Sequence, residues 1–395
     1  MERRISALAL VLAFRPDLPV HCIRSHAARR AAEWFVQSFP GETFYAVKAN
    51  PHPLILDAVS EAGVRSFDVA SVQEIERVAA RFPNAHIAFM HPVKARSSIR
   101  RAYHEFGVRT FALDSADELN KIVAETAGAK DLRLIVRLAA ASDYAAHKLA
   151  GKFGAAGSEA VMLLRETRVC AEALGVSFHV GSQCMRPEAY RLAMAAAGEL
   201  IRQASVTVDI VDVGGGFPAP YPGLVPPPLE HYAAEIAAAF ETMPVLENAG
   251  LWCEPGRALC AEAGSHVTRV ELRKNDALYI NDGAYGALFD AAHDGLVFPA
   301  RVLRRGDAPP RPLAPYRLFG PTCDSIDAMP GPFFLPDDVS EGDYIEFGLT
   351  GAYGAALAGK FNGFGEYLEA VVEDAPIYSM YDSPANENVA AATGD

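Results

Sequence analysis

Between about Pro19 and Gly264 the chain repeats one pattern: a short apolar run, a polar or special residue at its end, then a longer stretch of helical periodicity. The runs expected as strands are Thr43–Ala49, Ser66–Ala70, His86–His91, Thr110–Asp114, Arg133–Leu138, Val176–Gly181, Ile210–Gly214 and Leu251–Glu254. Helices are expected over Ser71–Phe82, Ser115–Thr126, Gly157–Leu174, Pro187–Ala204 and Pro228–Thr242, several opening on Ser or Pro as helix starts prefer. Leu119 and Ile122, three apart with charges between, illustrate the helical period. Eight strands alternating with helices predict an α/β fold, a (β/α)8 TIM-like barrel, with a doubly wound open sheet as the alternative. The chemistry-bearing positions favour the barrel. Lys48, Asp68, His91, Asp114, Arg137, His179, Gly214–Gly216 and Glu254 all fall at C-terminal strand ends. A barrel rim draws its site from many strands at once, whereas an open sheet gathers it at one switch point.

After Gly264 the rhythm changes. Val267–Leu272, Ala277–Ile280, Arg311–Phe319 and Asp343–Phe347 read as strands separated by Pro- and Gly-rich turns, a second and mainly β domain. The expected division is a barrel over 24–263 and a β domain from 1–23 plus 264–382. Arg304–Pro312 is expected as an exposed hairpin loop, and 383–395 as a small, polar, poorly ordered tail. Arg3-Arg4 followed by Ile5 to Phe14 has the outline of a signal peptide. Phe14-Arg15-Pro16-Asp17 offers no small-residue cleavage site, so the segment reads as part of the mature chain.

Composition narrows the function classes. A length of 395 residues suggests about two domains, and 50% hydrophobic with 22% charged residues is a globular composition. The net charge of −13 argues against nucleic acid or an anionic membrane surface as partner and is compatible with a cationic substrate. No apolar run approaches the roughly 20 residues needed to span a bilayer. Six cysteines without a CxxC pair favour reduced thiols and a cytoplasmic protein.

The central candidate is Lys48, at the end of Phe44-Tyr45-Ala46-Val47-Lys48-Ala49-Asn50. Burial at a strand end is expected to lower its pKa and free the amine as a Schiff-base nucleophile, against the plainer reading of a snorkelling lysine. Asp212-Val213-Gly214-Gly215-Gly216-Phe217-Pro218 places three glycines where backbone N–H groups can close round phosphate, or simply form a tight turn. Glu254-Pro255-Gly256-Arg257 offers a carboxylate for a ring nitrogen and a guanidinium for a phosphate, or a surface ion pair. In His179-Val180-Gly181-Ser182 the imidazole can stack on a flat heterocycle and the serine can donate to phosphate. His179, His91 and Cys184 do not form a zinc spacing, so no metal is expected.

Together, from about Phe44 to Phe364, these segments resemble the pyridoxal-phosphate-dependent basic amino-acid decarboxylases of the alanine-racemase-like fold, with ornithine decarboxylases as the best match. The resemblance implies pyridoxal 5'-phosphate as cofactor and Lys48 as the lysine that binds it as an imine. Asp68 and Glu74 match acids near that lysine, and Arg137 the arginine near the ring's phenolate oxygen. His179 matches the histidine stacked on the ring, and Glu254 the acid that keeps the pyridine nitrogen protonated. Ser182, Gly214, Gly215, Gly216, Pro255, Gly256, Arg257 and Tyr353 match the remaining ring and phosphate contacts. Gly320-Pro321-Thr322-Cys323-Asp324-Ser325 matches a motif that reaches the other subunit's site, so a homodimer with shared active sites is implied. There Cys323 would reprotonate the substrate's α-carbon, while Asp324, with Asp290 beside Phe289, would hold its distal ammonium. Phe361-Asn362-Gly363-Phe364 matches a signature near the dimer interface.

The implied reaction is decarboxylation of L-ornithine to putrescine and CO2 in polyamine biosynthesis. The alternatives are a dual lysine/ornithine enzyme, a diaminopimelate decarboxylase and a non-catalytic cofactor-binding homologue. Gln183 stands where ornithine decarboxylases usually have glycine, Met90-His91-Pro92-Val93-Lys94 keeps only part of an Asn-Pro-x-Lys segment, and Phe289 replaces a frequent tyrosine. Asp290 and Asp324 speak against a distal carboxylate, which would want an arginine. Glu254 distinguishes the chain from racemases of the same fold, which place an arginine at the ring nitrogen. Retention of Lys48, Glu254 and Cys323 argues against a catalytically dead homologue.

Overall fold

The computed structural model describes residues 3–4, 6–140, 145–147, 151–305 and 311–381. Eight parallel strands close into a barrel: Glu42–Ala46, Ser66–Val69, His86–Phe89, Thr110–Leu113, Arg133–Arg137, Ala173–Ser177, Ile210–Asp212 and Gly250–Cys253. The last strand returns to the first through Trp252 beside Glu42 and Cys253 beside Thr43. Phe44, Met90, Ile135, Ile210 and Trp252 form an apolar cluster of their own, with Phe44 and Trp252 rings 4.6 Å apart. Gly175 makes room there, since a Cβ would lie 2.4 Å from Ile135 Cδ1.

Ser71 and Ser115 begin their helices as expected, each Oγ accepting the N–H of Glu74 or Glu118 three residues on. Ser25–Ser38, ahead of the first barrel strand, buries Ala27, Ala28, Ala31, Ala32 and Phe35 on one face, a helical stripe that lets it lie close to the barrel. Three elements differ from expectation. The helix from Gly157 ends at Cys170, and the sixth strand begins at Ala173 and ends at Ser177. Asp209 decides this: its Oδ2 takes the Leu174 N–H at 2.8 Å and Arg168 Nη1 at 2.6 Å, so Leu174 enters the sheet. The first strand stops at Ala46, and Val47–Ala49 is a 3-10 turn that presents Lys48 at the rim.

The second domain is built on Gly264–Lys274, which pairs antiparallel with Val20–Ile23, Ala277–Ile280 and Tyr344–Phe347. Val20–Ile23, Ala300–Val302, Ala328–Pro336 and Leu368–Val372 are strands the hydrophobic pattern did not announce. Pro and Gly within Ala328–Pro336 broke the pattern, and the other three are short pieces joined by pairing distant in sequence. Ser6 caps the helix Ala7–Phe14, whose Ala7, Leu10 and Val11 pack with Val20, Val267 and Leu303. Arg24 is buried between the domain's parts, 2.8 Å from both Glu346 Oε1 and Asp374 Oδ1. Part of the expected hairpin at 304–312 (306–310) and the tail at 383–395 lie outside the described residues. Among the described residues no helix is long and apolar enough to cross a membrane.

Candidate active site

Lys48 leaves its turn toward the barrel mouth, with its Nζ 2.7 Å from Asp68 Oδ2 at the end of the second strand. Its side chain is 44% exposed, whereas that of Asp68 is 1% exposed. Enclosure of the site acts to lower the lysine's pKa, as expected from sequence, but Asp68, then Glu254 and Tyr353, outweigh it and hold the value above the ordinary one. The expected depression is therefore corrected: the amine stands charged and paired. Behind it, Glu74 Oε2 accepts the Ala70 N–H at 2.7 Å, and burial raises that carboxyl's pKa.

Opposite stand two buried acids, Asp212 ending the seventh strand and Glu254 following the eighth. Glu254's N–H donates to Gly214 O at 2.8 Å, and the Gly214 N–H donates to Asp212 Oδ1 at 2.8 Å. Burial, reinforced by Asp212 and Asp68, pushes Glu254 well above the usual carboxylate range; burial also pushes Asp212 up to about 6. The charge of Asp212 adds to the cost of ionising Glu254. Asp212 Oδ2 and Glu254 Oε1 are buried without a hydrogen-bond partner. The glycine motif alone gives Asp212 no role; its signal in the sequence is an acid two residues ahead of the glycines.

His179 Nδ1 accepts the Gly181 N–H at 2.9 Å, and burial, with Arg137 and Lys48, depresses its pKa far below the ordinary value. The ring is therefore neutral, with its proton on Nε2. Arg257, at the start of a short helix, donates to Tyr221 Oη at 3.0 Å and approaches Ser182 Oγ at 3.5 Å, with its guanidinium 5.0 Å from the Tyr353 ring centre. Tyr353 is anchored by its N–H to Ala49 O at 2.9 Å, which ties the second domain to the Lys48 turn. The glycines leave space no side chain could share. A Cβ on Gly215 would lie 3.1 Å from His179 Nε2, and one on Gly256 2.9 Å from Ala49 Cβ. Gln183 sits at φ 56°, the left-handed backbone that explains why glycine is common there. Its amide offsets the strain by exchanging two hydrogen bonds with the Ala219 backbone.

Other expected residues have further partners in the folded chain. The His91 ring meets the edge of Phe153, and Asp114 Oδ2 accepts the Gly154 N–H at 3.0 Å, so both organise the loop after the fifth strand. Lys94 is buried, bonded to His91 O and paired with Glu118, each at 3.0 Å. Burial takes its pKa down to about 8. Phe289 packs on His293, ring centres 4.1 Å apart. Asp290 pairs with Arg257 at 2.8 Å. Cys323 and Asp324 form a separate cluster. Cys323 Sγ lies 3.3 Å from Asn362 Oδ1, and Asp324 Oδ2 accepts the Tyr285 hydroxyl at 2.6 Å. Tyr285, with its ring 4.8 Å from that of Phe361, was not foreseen. Its hydrogen bond lowers the Asp324 pKa and raises its own to about 12. Among the described residues no group of three or more His, Cys, Asp or Glu is arranged to hold a metal.

A flat pyridine ring carrying a phosphate fits this rim. The unpartnered Glu254 oxygen suits a protonated ring nitrogen, the neutral His179 a ring face, and the glycine-lined space beside Arg257 a phosphate. With Lys48 able to form an imine with an aldehyde once it gives up its proton to a base such as Asp68, the barrel and its rim define a pyridoxal-phosphate-dependent enzyme with a β second domain. Residues 24–261 match the pyridoxal binding domain of the pyridoxal-dependent decarboxylases. Lysine/ornithine decarboxylase of Selenomonas ruminantium is 31% identical over 350 residues, 85% of this chain and 84% of that protein. Antizyme inhibitor 2 of Xenopus laevis is 31% identical over 357 residues, 84% of this chain and 75% of its own. The arginine decarboxylase structure of Paramecium bursaria Chlorella virus, bound to agmatine, superposes with a TM-score of 0.82 at 28% identity, over 92% of this chain and 98% of that one. The chain belongs to the pyridoxal-dependent decarboxylase family and is a pyridoxal-phosphate-dependent amino-acid decarboxylase.

The acid pair has a measurable consequence for the cofactor-free protein. Asp212's folded pKa of about 6 lies above its unfolded value of about 3.9, so its stability contribution is present at low pH and lost as pH rises through about 6. The melting temperature of the cofactor-free protein is expected to fall between about pH 4 and 6 relative to an Asp212→Asn variant. Parallel pH profiles of the two proteins would refute the pairing.

Proposed function

We propose that this enzyme decarboxylates L-ornithine to putrescine and CO2 in the cytoplasm, as a homodimer whose sites are each completed by Cys323 and Asp324 of the partner subunit. The observation that carries this reading is the Cys323–Asp324–Tyr285 cluster. An exposed thiol stands beside a carboxylate whose charge is stabilised by a tyrosine, while the described hydrogen-bond partner of the same chain's Lys48 is Asp68. A carboxylate at the far end of a pocket suits a distal ammonium and repels a distal carboxylate. The Selenomonas relative's name covers both lysine and ornithine. One methylene is worth only ~1–3 kcal/mol, so slower turnover of lysine is expected. Six unpaired cysteines support a reducing compartment.

When bound, the cofactor supplies the electron sink for carbon–carbon cleavage. Lys48 would hold it through its aldehyde carbon, and Glu254, backed by Asp212, would keep a proton on its ring nitrogen. His179 would cover one ring face, and Arg257, Ser182, Gly214–Gly216 and Tyr353 would hold the phosphate. Asp324 of the partner subunit orients the distal ammonium, leaving the substrate carboxylate in a dry site where loss of charge as CO2 is favoured. Cys323 of the partner subunit returns a proton to the α-carbon.

The test supplies the holoenzyme with ornithine, lysine, arginine and meso-diaminopimelate in turn. Ornithine is expected to give the highest kcat/KM for amine and CO2 release. Release from diaminopimelate alone would overturn the substrate assignment, and release from none would overturn the proposal. Site sharing has its own test. Random assortment of equal amounts of Lys48→Ala and Cys323→Ala chains leaves about a quarter of all sites intact. Recovery of about a quarter of wild-type activity is expected on mixing, and no gain over the separate variants would exclude shared sites.

A further inference from the structure

The turn that carries Tyr285 is held at both ends by buried carboxylates. At its start the Ala284 N–H donates to Asp327 Oδ1 at 2.7 Å. Asp327 Oδ2 takes the Thr322 N–H at 3.0 Å and the Thr322 hydroxyl at 2.7 Å, which ties the turn to the Cys323–Asp324 segment. At its end the Ala287 N–H donates to Asp282 Oδ2 at 2.8 Å, and a Cβ on Gly286 would strike the same carboxylate. Between these anchors the Tyr285 hydroxyl reaches Asp324. Asp282 has a support that Asp327 lacks. His266, on the strand Gly264–Lys274, places its Nε2 2.8 Å from Asp282 Oδ2, with the two side chains 2% and 8% exposed. Neither ring nitrogen of His266 has a hydrogen-bond partner, so the contact with Asp282 is an ion pair by distance. Burying an imidazole without a hydrogen bond costs free energy that an apolar side chain in the same strand would not incur.

We infer that His266 is a positioning residue for substrate recognition and that it acts on the partner subunit's site. It fixes Asp282, Asp282 fixes the 283–287 turn, and the turn aims Tyr285 at Asp324, the acid that holds the substrate's distal ammonium across the dimer. The inference rests on the sharing of sites between subunits proposed above. An effect carried instead by the helix Phe289–His293, which follows the same turn, would stay within the chain, because Asp290 pairs with Arg257 of its own barrel.

The test begins with His266→Leu holoenzyme. KM for ornithine is expected to rise about tenfold, with kcat, cofactor affinity and the absorbance of lysine-bound cofactor within about twofold of wild type. Asp282→Asn is expected to match it, and the double variant to be no worse than either single one. A lower melting temperature or kcat with KM unchanged would overturn the proposal in favour of a purely structural contact. KM increases that multiply in the double variant would show the two residues acting separately and refute it as well. The decisive measurement mixes equal amounts of His266→Leu and Lys48→Ala chains. Each heterodimer then has one site built from Lys48 of the first chain and Asp324 of the second, whose His266 is intact, so about a quarter of all sites are expected to show the wild-type KM. If every active site keeps the raised KM, His266 acts within its own chain and the proposal fails. The mixture of Lys48→Ala with Cys323→Ala is the control. No gain there sinks the shared sites and this inference with them, whereas a gain there without KM recovery removes the role of His266 alone. If His266→Leu does not fold, Asp282→Asn mixed with Lys48→Ala must show the same recovery, and its absence refutes the idea.

Discussion

Lys48→Ala is expected to lower putrescine formation by about 10³-fold or more and to abolish the visible absorbance of lysine-bound cofactor. No other lysine described on the rim is placed to substitute. Lys94 is the described lysine whose pKa is depressed, and its ammonium is already spent on His91 O, Ala112 O and Glu118 inside the wall. Lys48 begins instead as a charged partner of Asp68. Its amine becomes a nucleophile only after giving up a proton, for which buried Asp68 is the nearest acceptor. Asp68→Asn is therefore expected to weaken imine formation without removing it. An imine band surviving in Lys48→Ala would place the anchor elsewhere.

The second large effect is at Glu254. Glu254→Gln keeps the size and hydrogen-bonding capacity of the side chain but cannot hold a charge opposite a protonated ring nitrogen. Decarboxylation is expected to fall by about 10²–10⁴-fold, the usual range for losing a positioned proton-transfer group. Cofactor affinity should fall much less, because Arg257, Ser182, the glycines and Tyr353 remain. The paired measurement is kcat together with cofactor affinity by absorbance titration. A large loss of affinity with kcat preserved would make Glu254 a binding residue only. Asp212 sharpens this expectation: its charge opposes ionisation of Glu254, so the two buried acids are charged together only if a cation joins them.

The barrel was legible because its signal is local. Each strand carries its own apolar run, and Ser71 and Ser115 announce the next helix through side chains that bond their own backbone. Lys48, Asp68, His179, Glu254 and Arg257 were legible for the same reason, each lying where a strand gives way to a loop. The failures are all non-local. The helix from Gly157 and the strand after it were misplaced because Asp209, 35 residues beyond Leu174, decides where that helix ends. The pKa of Lys48 was misjudged in sign because burial is inferable from its own segment but the charges that outweigh it arrive from other strands. Tyr285 went unnoticed because its meaning lies in Asp324, 39 residues away.

By itself, then, the sequence determined the alternation that closes a barrel, the glycines that leave space for an anion, and the identity of the groups on the rim. Periodicity and backbone freedom belong to short stretches and do not depend on the rest of the chain. Tertiary structure alone decided which acids oppose ionisation of Glu254, that Lys48 is held charged, and that Asp290 faces Arg257 from the other domain. Coulomb energy depends on distance and enclosure, and both are set only when strands remote in sequence are brought to one rim.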